Sequence, residues 1–107
     1  PALDFADTEP KKGVDVWIEG HALGQSDVLI FWGRLASPAY QFPTEDWKTA
    51  AYDLSGIEGM SGSPVQTKNG VIGVWGGTVN TRLGGIGWGA THGQLKDFVG
   101  PVWEGER

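Results

Sequence analysis

Ser61 lies in the run Gly59-Met60-Ser61-Gly62-Ser63-Pro64, a hydroxyl with one glycine two positions before it and another directly after it. Two readings compete. Gly, Ser and Pro are the usual punctuation between strands, so a plain turn accounts for the run. The same residues also suit a nucleophile, because small neighbours let backbone N–H groups point at the oxyanion formed when a serine attacks a carbonyl. A serine hydroxyl is weak at its own pKa and needs a base beside it. The chain offers two histidines, His21 and His92, far apart in sequence. With no cysteine, they make a poor set of metal ligands.

Other serine and glycine chemistries fail on spacing. The α/β-hydrolase elbow, G-x-S-x-G between a strand and a helix, meets Ser63 where its second glycine belongs, and the following PVQTKNG cannot open a useful helix. No phosphate-binding G-x-x-x-x-G-K-[ST] occurs, and the glycines of 84–89 do not spell G-x-G-x-x-G.

The elements that must position Ser61 are short and apolar. VDVWIEG, 14–20, alternates Val14, Val16 and Ile18 with Asp15, Trp17 and Glu19, the period of a strand with one buried face. DVLIFWGRLA, 27–36, reads as a longer strand with Gly33 as a bulge or bend, and residues 37–48 as a surface loop holding two prolines. TAAYDL, 49–54, is a further strand, PVQT another. Asn69-Gly70 marks a hairpin turn before VIGVWGG, 71–77. TVNTRLGG reads as a polar hairpin loop and IGWGAT, 86–91, as the last strand. From His92 onward, Leu95, Phe98 and Val99 recur at helical spacing, and Gly100-Pro101 ends the helix.

Composition bounds the rest. With 107 residues, the chain builds one domain, and its 18 glycines separate short runs of Val, Ile, Trp and Phe, as in an all-β barrel or sandwich. Eight basic residues against thirteen acidic ones, a net charge of −5, leave no phosphate-binding footprint, which argues against nucleic acid. No apolar run approaches the roughly 18 residues of a membrane helix, and residues 1–20 lack the order of a signal peptide. Pro1 in place of a methionine points to a processed chain or a fragment. The absence of cysteine fits a reducing intracellular compartment.

GMSGSPV resembles the nucleophile loop, G-x-S-G-[GS]-P, of chymotrypsin-like (trypsin-like) serine proteases. KKGVDVWIEGHALG is similar to the opening of that family's second barrel, DVLIFWGRLAS to the strand after it, NGVIGVWGG to the strand following the nucleophile loop, and GIGWGATHGQLKDFV to the last pocket strand and C-terminal helix. Without cysteine, the pattern looks closest to viral polyprotein proteases of flaviviruses and arteriviruses, with host cytoplasm as the compartment, and to bacterial proteases of the high-temperature-requirement type.

The resemblance implies a six-stranded antiparallel β-barrel with a short C-terminal helix over residues 1–107, equivalent to the family's second barrel. It implies a serine endopeptidase needing no metal or cofactor and acting on a polypeptide substrate. Ser61 is then the nucleophile, and the N–H groups of Gly59 and Ser61 form the oxyanion hole. Ser55 lies at the base of the specificity pocket and Glu58 near its rim. Val74, Trp75 and Gly76 form one wall and pair with substrate backbone by β-augmentation, and Gly87 and Trp88 line the opposite side. Met60 replaces the aspartate of zymogen-type members, which removes activation by a freed N-terminus.

The first barrel of the family carries the histidine and aspartate, and no counterpart of it lies in this chain. The expected partner is therefore an N-terminal barrel, on the same precursor or a separate chain. His21 and His92 suit structural roles better than that of general base. Two other functions fit the composition: a barrel that has lost catalysis and serves as a binding or assembly module, and a glycan-binding domain using exposed tryptophans.

Overall fold

A computed structural model describes residues 4–21, 26–43, 45–54, 60–81 and 84–100. Six strands, β1 (Asp15–Gly20), β2 (Leu29–Tyr40), β3 (Thr49–Asp53), β4 (Pro64–Thr67), β5 (Gly70–Thr81) and β6 (Gly84–Ala90), precede one helix, α1 (His92–Val99). They close into an antiparallel barrel in the order β1-β2-β3-β6-β5-β4, sealed where Trp17 of β1 meets Gln66 of β4. Closure gives every strand two neighbours over part of its length, which shortens the free edges that an open sheet of this size would expose. The fold expected from the sequence is the one observed.

Alternation decides what faces inward. Val16 and Ile18 of β1 are fully buried, while Asp15 and Glu19 are exposed. Leu35, Tyr52, Val65, Ile72 and Trp75 complete the barrel core with Met60 from the turn before β4. A second cluster, Val71 and Leu95 with Phe5, Val74 and Val99, fixes α1 to the outside of β5.

Two strands outrun their sequence limits. β2 continues through Ser37 and Pro38 to Tyr40, where a loop was expected, because register shifts on both sides of Ser37 let the strand pair Ser37 with Ala51 and Tyr40 with Thr49. Such bulges leave Pro38, which has no N–H to give, outside the ladder. β5 likewise runs to Thr81, with Thr78–Thr81 paired to Gly84–Gly87 of β6 in place of the expected polar loop. Polar side chains are no obstacle on an outward face, since the ladder is made by backbone groups. Gly33 is not a bulge: it pairs in register with Val16, and a side chain there would strike the backbone oxygen of Asp53.

The helix begins on a capping box. Thr91 accepts from the Gln94 amide at 3.0 Å, and the Gln94 side chain accepts from the Thr91 amide at 3.0 Å. His92 is buried, and its Nε2–H donates to the Ala6 carbonyl at 2.8 Å. The imidazole thus ties α1 to residues 4–6, which run beside β5 through the bonds Ala6 N–H to Val71 O and Val71 N–H to Asp4 O.

Candidate active site

Ser61 is presented by a β-turn, residues 60–63, closed by the Ser63 N–H donating to Met60 O at 3.1 Å. Gly62 occupies its third position with φ of 92°, a conformation in which Cβ is penalised. Met60, 1% exposed, anchors the turn in the barrel core while Ser61 faces solvent. Two further bonds clamp the turn onto β5: Gly62 N–H to Trp75 O and Trp75 N–H to Ser63 O, both 2.8 Å.

The hydroxyl of Ser61 donates to the carbonyl oxygen of Gly76 at 3.0 Å. This contact follows from an irregularity in β5. Between Trp75, opposite Gly89, and Gly77, opposite Trp88, the register slips by one residue, and Gly76 is the extra one. A bulge takes its extra residue out of the ladder, so the Gly76 carbonyl is available to the serine.

Val74, Trp75 and Gly76 play unequal parts. Val74 pairs with Pro64 on one side and Ala90 on the other, and its side chain packs in the cluster under α1. The N–H and C=O of Trp75 are both used by the Ser61 turn, and its indole is 2% exposed. Among the described residues, Gly77–Thr81 pair with β6 alone, because β4 ends at Pro64 opposite Val74. Among the described residues, the stretch of β5 with no strand partner on its β4 side therefore starts at Gly76.

Gly87 and Trp88 meet β5 through an exchange of rings and glycines. The Trp75 ring occupies the space a Cβ at Gly87 would need on the inner side, and the Trp88 ring the space a Cβ at Gly76 would need. Ser55, Glu58 and Gly59 lie outside the described residues. His21 is exposed just beyond β1, and His92 is engaged with Ala6. Of the six tryptophans, Trp75 is in the core, Trp32 and Trp47 are 65% and 56% exposed, and Trp17 stacks on Trp32 with ring centroids 4.9 Å apart. Trp103 lies outside the described residues.

Sequence reasoning did not single out the role of Phe42, Glu45, Thr49 and Val79, which with Trp47 and Trp88 surround a cavity of about 170 Å³ on the outer face of β5 and β6. No spacing rule joins residues 42–49 to 79 and 88. The capping box was legible as T-x-x-Q at 91–94.

No family model matches the chain, and no curated protein matches it. Two solved structures of the Rv3671c protease of Mycobacterium tuberculosis do. One, a serine-to-alanine mutant in an inactive form, superposes with a TM-score of 0.74 at 19% identity, covering 100% of this chain and 56% of that one. The other, also an inactive form, gives 0.73 at 20% identity over 95% of this chain and 54% of that one. These bacterial matches lend no support to the viral, polyprotein-processing affinity expected from the sequence. The chain has the fold of a serine-protease β-barrel and spans about half the length of the solved structures it matches.

Proposed function

We propose that the chain is the nucleophile-bearing barrel of a serine endopeptidase, working by acyl transfer with a histidine and an aspartate supplied from outside it. The observation that carries this reading is the contact of Ser61 Oγ with the Gly76 carbonyl, at the point where β5 leaves β4. The serine is exposed, on a turn clamped by three backbone bonds, beside a strand edge able to take an extended peptide. A hydroxyl hydrogen-bonded to a carbonyl is held in place but not activated. Attack needs a base to take its proton.

In this reading Ser61 attacks the scissile carbonyl, and its proton passes to the external histidine, which returns it to the leaving amine. The Ser61 and Gly59 N–H groups receive the oxyanion. Ser55 and Glu58 belong to the pocket for the side chain at the cleaved bond, with Gly87 beneath the Trp75 ring restricting its depth. Substrate backbone pairs with Gly76 and the edge beyond it, so Val74, under α1, and Trp75, in the core, support the site and do not pair with substrate.

A fluorophosphonate probe on the full-length protein tests the proposal. Labelling that vanishes in Ser61→Ala is the expected result, and a folded wild type that resists the probe overturns it. One observation favours the alternative of a non-catalytic binding module. Val28, just before β2, and Ile30 and Trp32 on it are all more than half exposed, apolar side chains suited to protein contact. Resistance to the probe would leave that reading standing.

A further inference from the structure

The cavity on the outer face of β5 and β6 combines two features that point to one kind of ligand. Its walls are the aromatic residues Phe42, Trp47 and Trp88 and the aliphatic Val79. A carboxylate, half-buried Glu45, stands among them. Its sixth residue is Thr49, 6% exposed. An apolar guest would desolvate the carboxylate, which costs free energy. An acidic guest would be repelled by Glu45 and by the −5 net charge of the chain. A cationic side chain suits both features: its stem lies along aromatic rings, and its charge faces their electrons and the carboxylate.

The cavity is also built rather than incidental. Glu45 is held by its own N–H donating to Phe42 O at 3.0 Å and by Gln41 Nε2 donating to Glu45 O at 3.0 Å. The far end of the segment is fixed by Gln94 Nε2 donating to Lys48 O at 2.9 Å, which ties it to α1. Trp47 and Thr49 line the cavity while Lys48 between them does not.

Position supplies the connection to peptide. Trp88 is a wall of the cavity and also covers Gly76, the acceptor of the Ser61 hydroxyl, while Val79 lies on the open-edged part of β5. We propose that this cavity is a subsite for a lysine or arginine side chain of an extended peptide laid along the β5 edge, a few residues from the point of attack. The placement rests on the protease reading, but the cation preference does not.

The test uses the full chain carrying Ser61→Ala, so that bound peptide persists. Capped pentapeptides identical except for a central lysine, acetyl-lysine, norleucine or glutamate are titrated by calorimetry and tryptophan fluorescence. The lysine peptide is expected to bind at least about tenfold more tightly than the norleucine peptide, with acetyl-lysine resembling norleucine. Glu45→Gln is expected to abolish that preference. Trp47→Ala, at an exposed position that leaves the core intact, is expected to weaken the lysine peptide as well. Equal affinity for lysine and norleucine, a preference that survives Glu45→Gln, or no lysine-peptide binding in folded protein overturns the subsite. Lysine preference without fluorophosphonate labelling of the wild type supports the subsite and sinks the protease reading. Labelling without lysine preference does the reverse.

Discussion

The ring of Trp88 lies in the space that a side chain at Gly76 would need, and the carbonyl of that same Gly76 receives the Ser61 hydroxyl at 3.0 Å. The bulge, the indole and the Ser61 turn are therefore one mechanical unit. Gly76→Ala must push either the indole or the bulge aside. A loss of about 1–3 kcal/mol is expected, typical of overpacking, and urea unfolding measures it. Because the acceptor of the serine moves, fluorophosphonate labelling of the full-length protein should slow by about tenfold or more.

Gly62 and Gly33 should fail for different reasons. At Gly62 no heavy atom lies within 4 Å of a would-be Cβ, so only its φ of 92° resists substitution. Gly62→Ala should cost about 1–2 kcal/mol, the penalty of a left-handed residue. Gly33 has ordinary dihedrals but faces the Asp53 backbone, with Leu54 Cβ at 2.8 Å. Gly33→Ala should reach or exceed the roughly 3 kcal/mol upper range of overpacking. Parallel urea titrations decide the order, and a cheaper Gly33→Ala would contradict it.

Tyr52 carries an alkaline limit on stability. Its ring is fully buried, its hydroxyl has no partner, and burial pushes that hydroxyl above the usual phenol range. The unfolded chain ionises this group near pH 10 while the folded barrel keeps it neutral. Its contribution is thus unchanged below about pH 10 and is lost by about 1.4 kcal/mol per pH unit above it. Tyr52→Phe, which removes an unsatisfied hydroxyl at little change in shape, should be neutral or stabilising at pH 7 and should flatten the alkaline slope. Thermal melts between pH 8 and 11 compare the two proteins.

His92 is expected to be structural. His92→Ala removes a buried donor from the Ala6 carbonyl and should lower stability by about 1–3 kcal/mol. Labelling of Ser61 per folded molecule should stay at the wild-type rate. A loss of labelling in folded His92→Ala protein would instead make this imidazole the base, against the reading given above.

The strand periods, the turn glycines and the Gly59–Pro64 run are local properties, and the chain alone determined them. Alternation placed Val16 and Ile18 inside, while the turn from β4 into β5 falls at Lys68-Asn69, one residue before the expected Asn69-Gly70, because Gly70 already pairs with Thr67. Helical spacing ended the fold in α1. Bulges were not legible: the slip at Gly76 and the continuation of β2 past Pro38 are set by what the neighbouring strand offers, and no local propensity encodes a partner. The same holds for the serine's acceptor and for the cavity of Phe42, Glu45, Trp47, Thr49, Val79 and Trp88. Ser61 could be picked out as a chemical group from its neighbours in sequence, but which carbonyl holds its proton, and which of three β5 residues keeps a free edge, were decided by barrel closure. Closure brings distant residues together through backbone pairing, and that information is shared between strands rather than carried by either one.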